Sequence, residues 1–202
     1  NMAGIFQQVK DAVEVLFNSG SVNSVFIVSF SSDATFHPGP VGGWFTDLNA
    51  AFAVIDAFIA DGATDYDAAI AAVTTNFTAP PPGGSKLVSM YLSDGEPNES
   101  NGTGSDGIDE DDIDGNPAPG GEETDWINFL TTNGFDESLA FGFGGLGPED
   151  VAELEPIAWT GPGETADNPY DADSDASAAN DPNVIIVTDI NDLADALTGS
   201  IS

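Results

Sequence analysis

The chain contains no cysteine, one histidine (His37) and two basic side chains, Lys10 and Lys86, among 202 residues. Without cysteine there is neither a disulfide framework nor a thiolate metal site. A single histidine gives no basis for a Ser-His-Asp triad. The near absence of cations excludes nucleic acid and anionic membranes as electrostatically favoured partners. No apolar run approaches the roughly 18 residues of a membrane span, and no stretch reads as a signal peptide.

What the sequence does hold is acid: 35 Asp and Glu, for a formal charge of −33. Such a surface repels itself unless molar salt or bound Ca²⁺ neutralises it. The hydrophobic fraction of 41%, with 13 Phe and three Trp, nevertheless supplies a sizeable core, unlike a disordered acidic tail. One domain over residues 1–202 is the expectation.

Ile5, Phe6, Val9, Ala12, Val13, Leu16 and Phe17 form a one-sided stripe that predicts a helix ended by Asn18 to Gly20. Val25 to Phe30 is a short apolar run suited to a strand covered on both faces, as in a parallel sheet, and Ala34 to His37 adds a short edge strand. Further helices are predicted from Asp47 to Ala60 (Leu48, Phe52, Ile55, Ile59) and from Asp65 to Phe77 (Tyr66, Ile70, Val73, Phe77). A buried strand over Lys86 to Leu92 follows, then an aperiodic Gly-, Asn- and Asp-rich insertion at about 98–124.

Helix returns at Asp125 to Thr132 with Gly134 as its cap, then a strand at Leu139 to Phe143 and a helix from Pro148 to about Ile157. A second irregular stretch at about 161–183 precedes a strand at Val184 to Val187 and a closing helix at Asn191 to Leu197. Alternating strands and helices predict an α/β domain with a mostly parallel, Rossmann-like sheet flanked by helices.

In such sheets ligands sit at the carboxyl ends of the strands. Thr64, just before a helix, and Asp94, just after a strand, both qualify. A hydroxyl and a carboxylate presented together make a hard, all-oxygen site of the kind that Mg²⁺, Mn²⁺ or Ca²⁺ prefers.

The stretches Val25 to Ser32 (VFIVSFSS), Gly62 to Ile70 (GATDYDAAI) and Leu87 to Asn98 (LVSMYLSDGEPN) resemble the von Willebrand factor type A (vWA) domain, in that family's order and spacing. The resemblance implies that Thr64 and Asp94 are the second and third contributions to a metal-ion-dependent adhesion site, the MIDAS, holding Mg²⁺ or Ca²⁺. In the family, waters and a carboxylate of the ligand protein complete the metal's octahedron. The family's first contribution, Asp-x-Ser-x-Ser at the end of a central first strand, has no counterpart. The chain begins at Asn1-Met2, at the start of the helix that should follow, and Asp173-Ser174-Asp175-Ala176-Ser177 has Asp where the first Ser belongs and no strand before it. The expectation is a chain missing its central strand and about half of the residues that would touch the metal.

Thr64 has a plainer reading as the N-cap of the helix beginning at Asp65, and Asp94 as an Asx-turn residue before Gly95. Glu96 reads as a solvated loop carboxylate, Ser31 and Ser32 as strand-terminal hydroxyls, and Asp67 as a support for the Thr64 loop through hydrogen bonding.

Residues 106 to 125 carry nine acidic side chains. Aligning Gly115 with the glycine of a calcium loop puts Glu110, Asp112 and Asp114 at the first three ligand positions, but Gly121 falls where the bidentate Glu belongs, so this is not an EF-hand. Asp171-x-Asp173-x-Asp175 is the second candidate calcium loop. The first insertion leaves a strand end and should adjoin the MIDAS; the second should lie on the opposite face in a structural role. His37, beside Pro38, is read as exposed in a turn, and Trp44, Trp126 and Trp159 as covers of core edges. The sequons at Asn76, Asn98 and Asn101 matter only in a glycosylating pathway.

Lack of cysteine, scarcity of cations and Asp-rich loops resemble the secreted repeats-in-toxin (RTX) adhesins. The resemblance implies a metal-dependent binding module of an extracellular, cell-surface bacterial adhesin, flanked by other domains, gripping a protein or glycan on a target surface. The rival readings are a halophile's intracellular vWA protein docking a partner in a chelatase-like ATPase assembly, with its charge screened by salt, and a calcium-stiffened spacer. Catalysis is not expected, since neither a nucleophile and base pair nor a phosphate loop is visible.

Overall fold

The computed structural model describes residues 2–59, 64–84, 86–94, 122–143, 154–163 and 183–201. Among them the element order is α1 (Met2–Ser19), β1 (Ile27–Phe30), β2 (Ala34–His37), α2 (Leu48–Ile55), α3 (Tyr66–Asn76), β3 (Val88–Ser93), α4 (Glu122–Asn133), β4 (Glu137–Phe143), a 3₁₀ turn (Glu155–Ile157), β5 (Val184–Val187), a 3₁₀ turn (Ile190–Asp192) and α5 (Leu193–Gly199).

The strands form two sheets. β3, β4 and β5 are parallel in the order β3-β4-β5, with Leu92 opposite Phe141 and Phe141 opposite Ile185. β1 and β2 form a separate antiparallel pair, with Ile27 opposite His37 and Phe30 opposite Ala34. Among the described residues Val25 to Phe30 has antiparallel partners, β2 and, at Val25, Phe45, where the sequence suggested a parallel setting, and all four residues of β1 are half-buried. β4 shows what a strand inside the sheet looks like, buried from Ser138 to Phe143.

Alternation along β4 divides the core. Leu139, Phe141 and Phe143 face Ile5 and Ala12 of α1 and Leu193 and Leu197 of α5. Ala140 faces the other way, into a cluster with Tyr66 and Ala69 of α3, Tyr91 of β3, Leu154 and Ile157. A third cluster joins Trp126, Leu130, Phe135 and Trp159. All three tryptophans are buried: Trp126 and Trp159 lie inside the third cluster, not at core edges, and Trp44 lies outside the three clusters, against Phe26 and Phe77. The indole N–H of Trp44 donates to Thr78 O at 3.0 Å and that of Trp126 to Ile157 O at 3.0 Å. Asn183 stitches this core, its buried amide donating to Ser138 O at 3.2 Å and Trp159 O at 2.6 Å.

Element ends follow local chemistry. α2 stops at Ile55, earlier than its apolar spacing predicts. The Asp56 N–H reaches both Phe52 O and Val54 O, tightening the chain into turns that swing Phe58 against Phe6, at 5.6 Å between ring centroids, and leave Ile59 82% exposed. α4 starts at Glu122, ahead of the apolar periodicity that begins at Trp126. It ends as expected at Gly134, whose φ of +74° lets the Phe135 N–H return to Leu130 O.

Candidate metal centre

Asp65 shapes the loop that carries Thr64. Its backbone is extended, with φ −123°, and its carboxylate accepts the Ala68 N–H at 2.8 Å. Asp65 is therefore the N-cap of α3, the position that the sequence alone offered to Thr64. The Asp65 N–H donates to Ser31 O at 2.9 Å, tying this loop to the turn that follows β1. Thr64 is half-buried there and engaged with neighbouring groups.

The second loop leaves β3. Ser93 ends the strand buried, and Asp94 follows it exposed to solvent. Three rings hold the two loops at one end of the molecule: Phe30 stacks on Tyr91 with centroids 4.9 Å apart, Tyr66 meets Tyr91 edge-on at 5.0 Å, and Phe30 meets Tyr66 at 6.4 Å. One residue beyond Phe30 lies Ser31, two before Tyr66 lies Thr64, and three beyond Tyr91 lies Asp94. The carboxyl end of β1, the amino end of α3 and the carboxyl end of β3 thus converge.

Beneath this convergence the electrostatics are unusual. Among the described residues the buried Tyr91 hydroxyl has no hydrogen-bond partner. Its pKa is pushed well above the ordinary tyrosine value, first by desolvation, then by Tyr66 and by the negative charges of Asp65 and Asp67. Asp65 and Asp67 are both buried, at 1% and 7% exposure, so α3 brings two carboxylates under the loop that presents Thr64. Sequence reasoning gave Asp67 a supporting role but missed Asp65 and Tyr91. The pattern of Asp at the residue before a helix was the available signal for Asp65; burial of Tyr91 beside it is a tertiary fact.

The donor chemistry fits a hard divalent ion. Thr64 and Asp94 offer only oxygen, with no sulfur or imidazole at this end, and two protein oxygens leave most of about six coordination positions to water or a ligand. Among the described residues no three acidic or histidine side chains gather into a metal cluster. A site of one carboxylate and a hydroxyl does not require such a cluster. Ser31 and Ser32 are half-buried at the same end. A further acid stands beyond β5: Asp189, fully exposed, accepts the Asn191 backbone N–H at 2.9 Å and its side-chain amide at 2.7 Å, and these bonds lower its pKa. Glu96, the calcium-loop candidates Glu110, Asp112, Asp114, Asp171, Asp173 and Asp175, and the Asp173 to Ser177 stretch lie outside the described residues.

His37 corrects the reading of an exposed turn residue. It closes β2, half-buried, with Nε2 2.7 Å from the Ser29 hydroxyl and its ring 5.2 Å from that of Phe58. Burial lowers its pKa. A hydroxyl and imidazole pair therefore exists that the sequence did not reveal. Among the described residues no carboxylate hydrogen-bonds to the ring, so the orienting third member of a triad is missing.

No protein-family model and no curated protein matches the sequence. The fold, however, is similar to that of proximal thread matrix protein 1 from the mussel byssus, seen in one crystal form and in a structure whose MIDAS motif is occupied by zinc. Both align with a TM-score of 0.58 at 18% identity, over 100% of this chain and 43% of theirs. The architecture is the Rossmann-like α/β arrangement of the vWA fold, and the chain spans less than half the length of these neighbours.

Proposed function

We propose that this chain is a metal-dependent binding module, in which a divalent cation held by the Thr64 hydroxyl and the Asp94 carboxylate accepts an oxygen, most simply a carboxylate, from a protein or glycan partner. The observation that carries this reading is the convergence of the Thr64 and Asp94 loops on one end of the fold through the Phe30, Tyr66 and Tyr91 rings. The zinc-occupied MIDAS motif of the mussel neighbour supports it as a fold-level analogy. Charge gives the metal its purpose. A chain of net charge −33 repels an acidic ligand, and a divalent ion reverses the sign of the field locally.

The chain's own residues divide the work. Asp94, exposed, would take the ion and leave coordination positions open to a ligand. Thr64 would hold the ion through its hydroxyl, and the Asp65 cap with its bond to Ser31 O holds the Thr64 loop in register. The finer reading is an extracellular module of a secreted bacterial surface adhesin, with Ca²⁺ held by Glu110, Asp112 and Asp114 and by Asp171, Asp173 and Asp175; it rests on composition. No helix among the described residues is long and apolar enough to cross a membrane.

Titration calorimetry with MgCl2, CaCl2 and ZnCl2 in low salt tests the proposal. Wild type should show a site that Asp94→Asn and Thr64→Ala each weaken by at least roughly tenfold, since even losing a group that only orients a ligand costs about 10–100-fold. Equal affinity in all three proteins sinks it. The halophile reading separates cleanly, because it requires molar KCl for folding whatever the Ca²⁺ concentration.

A further inference from the structure

Between α3 and α4 runs a cleft of about 560 Å³, within the range of about 300–1,000 Å³ for ligand sites. Its length follows from the lining: at about 1.5 Å per residue, Asp67 to Thr74 spans about 10.5 Å of α3 and Asp125 to Asn133 about 12 Å of α4. Ile70 and Phe129, both half-buried and packed on the Trp126 cluster, make its apolar part. Every charged residue lining it is an acid. Asp125 is exposed, whereas Asp67 is buried with its carboxylate oxygens out of reach of water. The first can touch a ligand; the second acts on it through its charge. The uncharged polar groups add acceptors. The Thr74 hydroxyl donates to Ala71 O at 3.2 Å and the Asn133 amide to Phe129 O at 2.8 Å, so each side chain commits a donor proton to its own helix and keeps its oxygen as an acceptor.

We infer that this cleft binds an arginine side chain of a partner polypeptide, together with an apolar side chain two residues away in the same segment. An aromatic wall beside carboxylates suits a cation that is flat and weakly hydrated. A guanidinium stacks on a ring, meets a carboxylate through a fork of two N–H groups and brings five donors to a cleft that offers acceptors, whereas an ammonium is a compact, strongly hydrated charge. Nothing among the 202 residues supplies such a cation. The chain holds no arginine, Lys10 pairs with Asp56, and Lys86, exposed, does not line the cleft. A guanidinium at Asp125 leaves the part of the cleft beside Ile70 and Phe129 to be filled. Asp125 and Phe129 lie four residues apart, about 6 Å along α4, close to the roughly 6.6 Å between alternate residues of an extended chain. A net charge of −33 draws any cation to the whole surface, so the ring and the fork, not charge alone, set the specificity. The inference does not depend on the metal reading.

Two-dimensional NMR of the labelled protein in EDTA and about 0.15 M NaCl tests it, with the peptide Ac-Gly-Arg-Gly-Leu-Gly-NH2 as titrant. Amides of α3 and α4 around the cleft should shift, and those of α1, on the other side of the sheet, should not. Asp125→Asn, and Ala71→Phe, which fills the cleft from an exposed position, should each weaken binding by at least about threefold, the scale of one exposed ion pair. Glu14→Gln removes the same charge from an exposed site on α1 and should leave binding unchanged. Lysine in place of the peptide's arginine should weaken binding by at least about threefold at equal charge, and Ac-Arg-NH2, which lacks the leucine, by at least as much. Shifts scattered over the whole surface, equal binding of the lysine peptide, or equal losses in Glu14→Gln and Asp125→Asn each overturn the proposal. Equal binding of Ac-Arg-NH2 also overturns it, by making the occupant a free guanidinium compound, and an absence of shifts at millimolar peptide is equally fatal. EDTA keeps the result separate from Thr64 and Asp94.

Discussion

The ring of Phe30 lies flat against that of Tyr91, with 4.9 Å between centroids and 26° between planes, and this contact joins two strands that share no hydrogen bond. It places the end of an antiparallel pair over the end of a parallel sheet, and it buries a phenol beside two carboxylates.

Tyr91→Phe removes a buried hydroxyl that has no hydrogen-bond partner among the described residues. Since such a group costs about 1–3 kcal/mol, the variant should match or exceed wild-type stability in urea unfolding at pH 7. Alkali should distinguish the two more sharply. The folded pKa of Tyr91 is raised, so the unfolded chain loses the phenolic proton first and stability falls as pH climbs past about 10. Wild type should lose stability above that pH faster than Tyr91→Phe. Parallel curves would show that the phenol is not held in its neutral form by the fold.

Asp65→Ala should destabilise by about 1–2 kcal/mol, the upper part of the range for losing an N-cap, because the carboxylate is also buried. Asp47→Ala, which removes the exposed cap of α2 and its bond to Ala50 N at 2.9 Å, should cost less, about 0.5–1 kcal/mol. Chemical denaturation of both variants checks the order. Asp65→Ala should in addition weaken metal binding through the Thr64 loop, and Asp47→Ala should not.

His37 should couple stability to mild acid. Its folded pKa is lowered by burial, so below about 6.5 the unfolded chain takes up the proton first and stability falls as pH drops toward the folded value. His37→Gln should flatten that part of the curve between pH 7 and pH 5. Urea midpoints across that window, unchanged in slope by the substitution, would contradict this.

Screening should stabilise the fold. The one ion pair among the described residues joins Lys10 to Asp56 at 2.5 Å, with the ammonium also 5.3 Å from the Phe52 ring centre, so little of the charge of −33 is compensated internally. Raising NaCl from about 0.05 M to 1 M shortens the Debye length from over 10 Å to about 3 Å. Tm should rise by at least about 4 °C, roughly 1 kcal/mol or more for a chain of this size. A flat or falling Tm in scanning calorimetry would show that self-repulsion is not the dominant electrostatic cost.

The sequence alone determined where most elements lie, because periodicity reports which side chains must leave water. The stripe from Ile5 to Phe17 is the buried side of α1, the run Val184 to Val187 is β5, and Gly134 marks the one position past α4 where positive φ is needed. It misplaced the ends of α2 and α4, since those are set by Phe58 turning onto Phe6 and by a polar first turn with no apolar period. It also offered Thr64 and Asp94, from the rule that loops at strand ends carry function. Tertiary structure decided the rest. Only packing could show that Asp65, not Thr64, caps α3, that Ser29 meets His37 across a ladder, and that β1 and β3 end together without pairing. Those relationships join residues far apart in the chain, and no local period encodes which distant edge, ring or carbonyl a side chain will meet.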